Sequence, residues 1–161
     1  MNVCVEVEAR KSAGTASIGI DLGLKTTAVC SSGDSLASRT YRKHEPALAI
    51  AQRARKKDRT RAIHAKIANV RKDAMHKFST RLVAENAAIF VGNVSGKALI
   101  KTKMAKSTLD AGWSMLKTML QYKSHRAGIV FEEVNERYTT QTCSCCGGIL
   151  PAVRRVGQAL E

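Results

Sequence analysis

The 161-residue chain is short of several things at once. Aromatic residues make up only 4% of it, and 13 Asp and Glu stand against 27 Lys and Arg, a net charge of +14. No window supplies the roughly 18 consecutive apolar residues that a membrane helix needs. The opening "MNVCVEVEARKSAGTAS" has no apolar run ahead of a cleavage site, so secretion is not expected. Five cysteines at uneven spacing make no disulfide framework, and a reducing cytoplasm suits them better. No internal repeat or low-complexity segment is evident. What remains is one domain with ordinary apolar content, 44%, long enough to bury a core.

The excess of positive charge is local. From Arg39 to Arg81 there are 14 basic residues opposed by Glu45, Asp58 and Asp73, which places +11 of the chain's +14 in that stretch. A solvated surface is the plain reading, but such concentration favours contact with a polyanion, and nucleic acid is the commonest one. The candidate contacts are Arg53, Arg55, Lys56, Lys57, Arg59, Arg61, Lys66, Arg71 and Lys72. His44, His64 and His76 share the region and are expected to be solvated or phosphate-facing.

Periodicity gives the order of elements. "VCVEVEA" alternates as a half-buried strand does, and "KSAGTA" reads as a linker. "SIGID" and "TTAVCS" are expected to be strands joined by a tight turn, with "LASRTYR" a third and Gly33-Asp34 supplying the turn between. From about Pro46 to Asn86 the pattern is helical: Ile63, Ile67, Val70, Ala74, Phe78 and Leu82 form one stripe, with Arg81 near it, and Pro46 suits a first turn. "AAIFV" reads as a central strand covered on both faces. A second helix is expected from Ser107, which with Asp110 resembles a capping box. Its stripe is Leu109, Trp113, Leu116 and Leu120, and its stop is Gly128. "IVFEEV" is the last strand. Hairpin strands followed by alternating helices and strands predict an α/β fold with a mixed sheet flanked by helices.

Two short motifs carry chemistry. Asp21 ends an apolar strand and is followed closely by Gly23. An α/β sheet gathers its chemistry at such strand ends, so Asp21 suits a divalent metal or a phosphate; alternatively it caps the turn. Actin-like and sugar-kinase-like ATPases begin their phosphate loops similarly, but they need two such domains. In "CSCCGG", Cys143 and Cys146 have zinc-knuckle spacing, Gly147 permits the turn, and Cys145 is a bystander. A thioredoxin-like pair needs a helix starting in the motif, which Gly147-Gly148 disfavours. Cys4 and Cys30 are expected to be small buried apolar residues.

Four stretches, "GIDLGLKTTAV", "RKDAMHKFSTRLVAENAAIFVGNV", "MAKSTLDAGWSMLKTMLQYKS" and "YTTQTCSCCG", together resemble the C-terminal part of TnpB. These are the OrfB-type transposon proteins related to type V CRISPR effectors. The resemblance runs from about residue 3 to residue 147. It implies an RNase H-like, RuvC-type nuclease core at 17–138 and the first knuckle of a zinc ribbon at 139–148. Residues 1–16 are then a remnant strand and linker of an N-terminal domain. It also implies DNA and guide RNA as partners, magnesium held by three carboxylates, and zinc in the ribbon.

The chain departs from that pattern in places. Asp21 matches the first carboxylate, but Gly92 stands where the family has its second, a Glu, with Asn93 after it. Glu132, Glu133 and Glu136 are candidate replacements. Alternation lets at most one of Glu132 and Glu133 face the site, and Glu133 with Glu136 is the preferred pair. Each has strand-end solvation as its plain reading. Residues 149–161 contain no Cys, His or Asp, so the third carboxylate and second knuckle are not there, and that tail reads as unrelated sequence joined by frameshift or truncation. Cys143 and Cys146 alone make half a zinc site, which a second chain could complete. The expectation is a truncated, catalytically incomplete TnpB relative that binds nucleic acid in a prokaryotic cytoplasm. An active magnesium-dependent nuclease or junction resolvase using Asp21 with relocated glutamates is the alternative, and a non-enzymatic RNA-binding protein a third.

Overall fold

Ile18, Ile20 and Leu22 alternate with less buried neighbours and are all buried, the mark of a strand with one face on a core. They lie on β1 (Ala16–Leu22) of a computed structural model that describes residues 14–38, 40–94, 109, 111–135, 145 and 148. The chain continues through β2 (Thr26–Cys30) and β3 (Ser35–Ala37), then α1 (Thr40–Arg53) and α2 (Lys57–Glu85). β4 (Asn86–Gly92), α3 (Trp113–Ala127) and β5 (Val130–Val134) complete it.

The five strands form one sheet in the order β3-β2-β1-β4-β5. β1 and β2, and β2 and β3, pair antiparallel; β1 with β4 and β4 with β5 pair parallel. The mixed α/β architecture therefore follows the sequence reading. Register assigns the faces. Ile20 pairs with Val91, and Val91 with Glu133; Gly19 pairs with Phe90, and Phe90 with Glu132. Ile18, Ile20, Leu22, Ala28, Ile89 and Val91 pack with Met75, Phe78 and Leu82 of α2 and Trp113, Leu116 and Leu120 of α3 in one cluster. On the opposite face Ser17, Asp21, Val29, Val130, Glu132 and Val134 are exposed. β4 is interior in the sheet; Ile89 and Val91 are buried on its helix side, and on the other side Gly92 is buried while Ala88 and Phe90 are half-buried.

Three local expectations change. The helical stretch is two helices, α1 and α2, and the break between them falls at Arg55, whose φ is +53°. Pro46 lies inside α1 rather than in its first turn, so α1 lacks one backbone hydrogen bond there. β3 takes only Ser35–Ala37 of "LASRTYR", and α1 has begun by Thr40. Gly128 does end α3, in the left-handed conformation, with its N–H bonded to the His125 and Ser124 carbonyls. The expected strand "VCVEVEA" and the Ser107/Asp110 cap lie outside the described residues. Among the described residues no helix is long and apolar enough to cross a membrane.

Candidate nucleic-acid interface and the Asp21 strand end

Asp21 is exposed near the end of β1, on the sheet face away from the helices. The β1–β4 register runs to Ile20 and Val91, so Asp21 and Gly92 are the next residues on adjacent strands and share that face. The turn after Asp21 is tight: a Cβ on Gly23 would come within 2.9 Å of the Thr26 carbonyl. Trp113, at the start of α3, donates its Nε1–H to the Gly23 carbonyl at 3.3 Å and fastens the turn to the helix layer. Among the described residues Asp21 makes no side-chain bond to a turn amide. The position opposite it, 92, has no side chain to offer.

Glu133 is not brought to Asp21. It shares a face with Ile20 and Val91, and its carboxylate pairs with Lys117 Nζ at 2.6 Å; the same amine reaches Asn93 Oδ1 at 3.4 Å. Glu132 shares Asp21's face but stands beside Phe90, one strand further across. Glu136, Cys143 and Cys146 lie outside the described residues. Among the described residues no group of three or more His, Cys, Asp or Glu could hold a metal.

The basic stretch forms an arm. α2 is 29 residues long, about 43 Å at 1.5 Å per residue. Its buried residues are Ile67 and then Met75, Phe78, Ser79, Leu82 and Val83, so no residue of the first third is buried and that part lies off the main core, against α1. Direction follows from three contacts. α2 ends where β4 begins; Met75 lies against Gly112, where a Cβ would meet Met75 Cε at 2.7 Å; and Trp113 reaches Gly23 beside the Asp21 turn. The residues before Met75 therefore run on past the Asp21 end of the sheet, with α1 alongside. Arg53, Arg55, Lys56, Lys57, Arg59, Arg61, Lys66 and Lys72 are exposed on this arm. Arg71 differs: it is half-buried, and its Nη1 donates to the Leu109 carbonyl at 3.2 Å, towards α3. Arg81, near the stripe, pairs with Asp34 at 3.2 Å and lies over the Phe78 ring.

Sequence reasoning missed two polar ties. Lys117 is one step along α3 from the buried Leu116, and nothing in its spacing announces Glu133. Lys123 bonds the His76 carbonyl and the Ser79 and Thr80 hydroxyls at 2.7–2.8 Å, locking α3 to α2; burial lowers its pKa. Cys30 is buried as expected, and burial first, then Asp34, pushes its thiol up to about 11, with Arg81 opposing.

Residues 2–103 match the OrfB_IS605 family, described as probable transposase, and residues 113–159 match the Cas12f1-like TNB domain. The second match includes most of the 149–161 tail. Among curated proteins, one from Streptomyces pristinaespiralis named for RNA-guided DNA endonuclease activity is 31% identical over 91% of this chain. InsQ of Escherichia coli K12, named likewise, is 28% identical over 81% of it. The chain spans about 40% of the length of each. Among solved structures, a Cas12f1–sgRNA–target DNA complex aligns over 82% of this chain and 39% of that one, with a TM-score of 0.55 at 18% identity. A CRISPR–Cas12f ternary complex aligns over 91% and 34%, with a TM-score of 0.54 at 15% identity. The fold is thus shared with Cas12f, and the family match covers more than half of the sequence: the chain belongs to the OrfB_IS605 family of probable transposases, the TnpB-like proteins.

Proposed function

We propose that the chain binds nucleic acid through the α1–α2 arm, as part of an RNA-guided DNA endonuclease scaffold with DNA and guide RNA as its partners. The observation that carries this is the row of exposed Lys and Arg on an arm that leaves the sheet at its Asp21 end. A backbone held there would pass the strand end where the family's chemistry is expected. The strand order β3-β2-β1-β4-β5, three antiparallel strands followed by two parallel ones, supports an RNase H-like reading of residues 17–138.

Asp21 is the first metal-binding carboxylate in this reading. The described residues do not fit a two-magnesium set, because Gly92 has no side-chain carboxylate and Glu133 is engaged by Lys117. The chain is therefore read as binding without cutting. Cys143 and Cys146 would give zinc two of its four ligands, so less than one equivalent per chain, or one shared by two chains, should be found by metal analysis with mass measurement.

Titrating duplex DNA against salt, with and without magnesium, tests the main reading. If about five phosphates are contacted, log affinity should fall against log salt with a slope of roughly −4 to −5. A flat response would reduce the arm to a solvated face. Magnesium-dependent cleavage abolished by Asp21→Ala would instead favour an active nuclease.

A further inference from the structure

Helix α1 ends in a Schellman arrangement. The Lys56 N–H bonds the Ala51 carbonyl and the Arg55 N–H bonds the Gln52 carbonyl, both at 3.0 Å. The residue that donates the inner of these bonds must be left-handed, and glycine is its usual occupant. Here it is Arg55, at φ +53°, the one non-glycine residue with positive φ among those described. A β-carbon is disfavoured in that conformation. The arginine lines a cleft of about 500 Å³ together with Gln52, Lys57, Thr60, Arg61 and His64. That volume is within the range of pockets for small ligands. Asp58, paired with Arg61 at 3.4 Å, is the one acidic residue between Gln52 and His64, against six basic ones.

We propose that this cleft at the arm tip is a seat for one backbone phosphodiester of a nucleic acid, and that Arg55 occupies a glycine position because its guanidinium grips that phosphate. The proposal rests on the nucleic-acid reading above and narrows it from a diffuse basic face to a built site. Arg55 gives up local stability for charge-assisted hydrogen bonds to the ligand. Lys57 and Arg61 add positive charge at the rim, Thr60 and Gln52 neutral polar groups, and the carbon stems of these side chains make most of the wall.

The full chain and its Arg55→Gly, Arg55→Lys and Lys66→Ala variants are compared for melting temperature and for affinity to a labelled DNA duplex. Arg55→Gly should raise the melting temperature by about 2–4 °C while weakening binding about tenfold. Arg55→Lys should keep the lower melting temperature and lose part of the affinity, since lysine cannot form the bidentate fork. Lys66→Ala, on α2 outside the cleft, should lose no more than about threefold. Equal losses for Arg55→Gly and Lys66→Ala, or a melting temperature that falls with glycine, would overturn the proposal while leaving the basic-face reading in place. No binding by the unaltered chain would overturn both.

Discussion

The sheet and the arm divide the molecule's work. Among the described residues, the sheet with α3 and the later part of α2 holds one large buried cluster, from Ile18 through Leu120. The α1–α2 arm beyond it buries Leu48, Ala51 and Ile67 among the described residues, and carries most of the chain's excess charge on exposed positions. The difference teaches that stability and binding are separable here: apolar burial dominates the first region, and long-range charge the second.

The largest expected effect breaks the arm without touching the sheet. Reversing Arg55, Lys56, Lys57 and Arg59 together to Glu should weaken nucleic-acid binding at least about a hundredfold, uniformly across sequences, because phosphate contacts position rather than specify. Unfolding free energy should change by less than about 1 kcal/mol. Binding titrations and urea denaturation on the same sample check both halves. A loss confined to particular sequences would mean that the arm reads bases.

The converse comes next. Leu82 is 0% exposed, and Leu82→Ala should cost about 2–5 kcal/mol in urea denaturation. Ile50→Ala on the arm, where Ile50 is 67% exposed, should stay within about 0.5 kcal/mol. Comparable losses at the two sites would join the arm to the core.

A smaller effect depends on pH. The Cys30 thiol ordinarily titrates at 9.0 and is raised to about 11 in the fold. The folded chain then keeps a proton that the unfolded chain gives up, so this group's stabilisation is complete below pH 9 and is lost as pH rises through about 11. Unfolding free energy should fall over that window by up to roughly 2 kcal/mol more in the unaltered chain than in Cys30→Ala. Parallel pH profiles would show that the thiol is not the cause. Lys123, with its lowered pKa, changes stability in the opposite direction and is common to both chains.

The smallest effect sharpens the junction between the regions. Trp113→Phe keeps the ring in the core but removes the bond to the Gly23 carbonyl, and should cost about 1 kcal/mol. Faster hydrogen exchange at the turn amides of Gly23 to Lys25 would mark the loosened strand end; exchange unchanged there would show that the tie does not hold the turn.

Much of this was legible along the chain. The strands around Ile18–Leu22, Thr26–Cys30 and Val130–Val134, the Ile67, Phe78 and Leu82 part of the α2 stripe and the Gly128 stop follow from periodicity and turn chemistry, which act over a few residues, whereas Val70 and Leu109, expected on the two helical stripes, are exposed. The split at Arg55 was not legible, because the usual signal there is a glycine and the sequence has an arginine. Nor could alternation say which of Glu132 and Glu133 faces Asp21, since a strand's two faces are equivalent until its neighbours fix the register.

By itself, then, the sequence determined the charge and where it is concentrated, the order of most elements, and the family to which the motifs belong. Tertiary structure decided the rest. Parallel pairing of β1 with β4 put Gly92, which has no side chain, beside Asp21, and the covered face of the sheet gave Glu133 to Lys117. The return of α2 across that face carried its basic end past the same strand ends. Those outcomes depend on residues far apart in the chain meeting through a shared core, and no local pattern contains the distance between them.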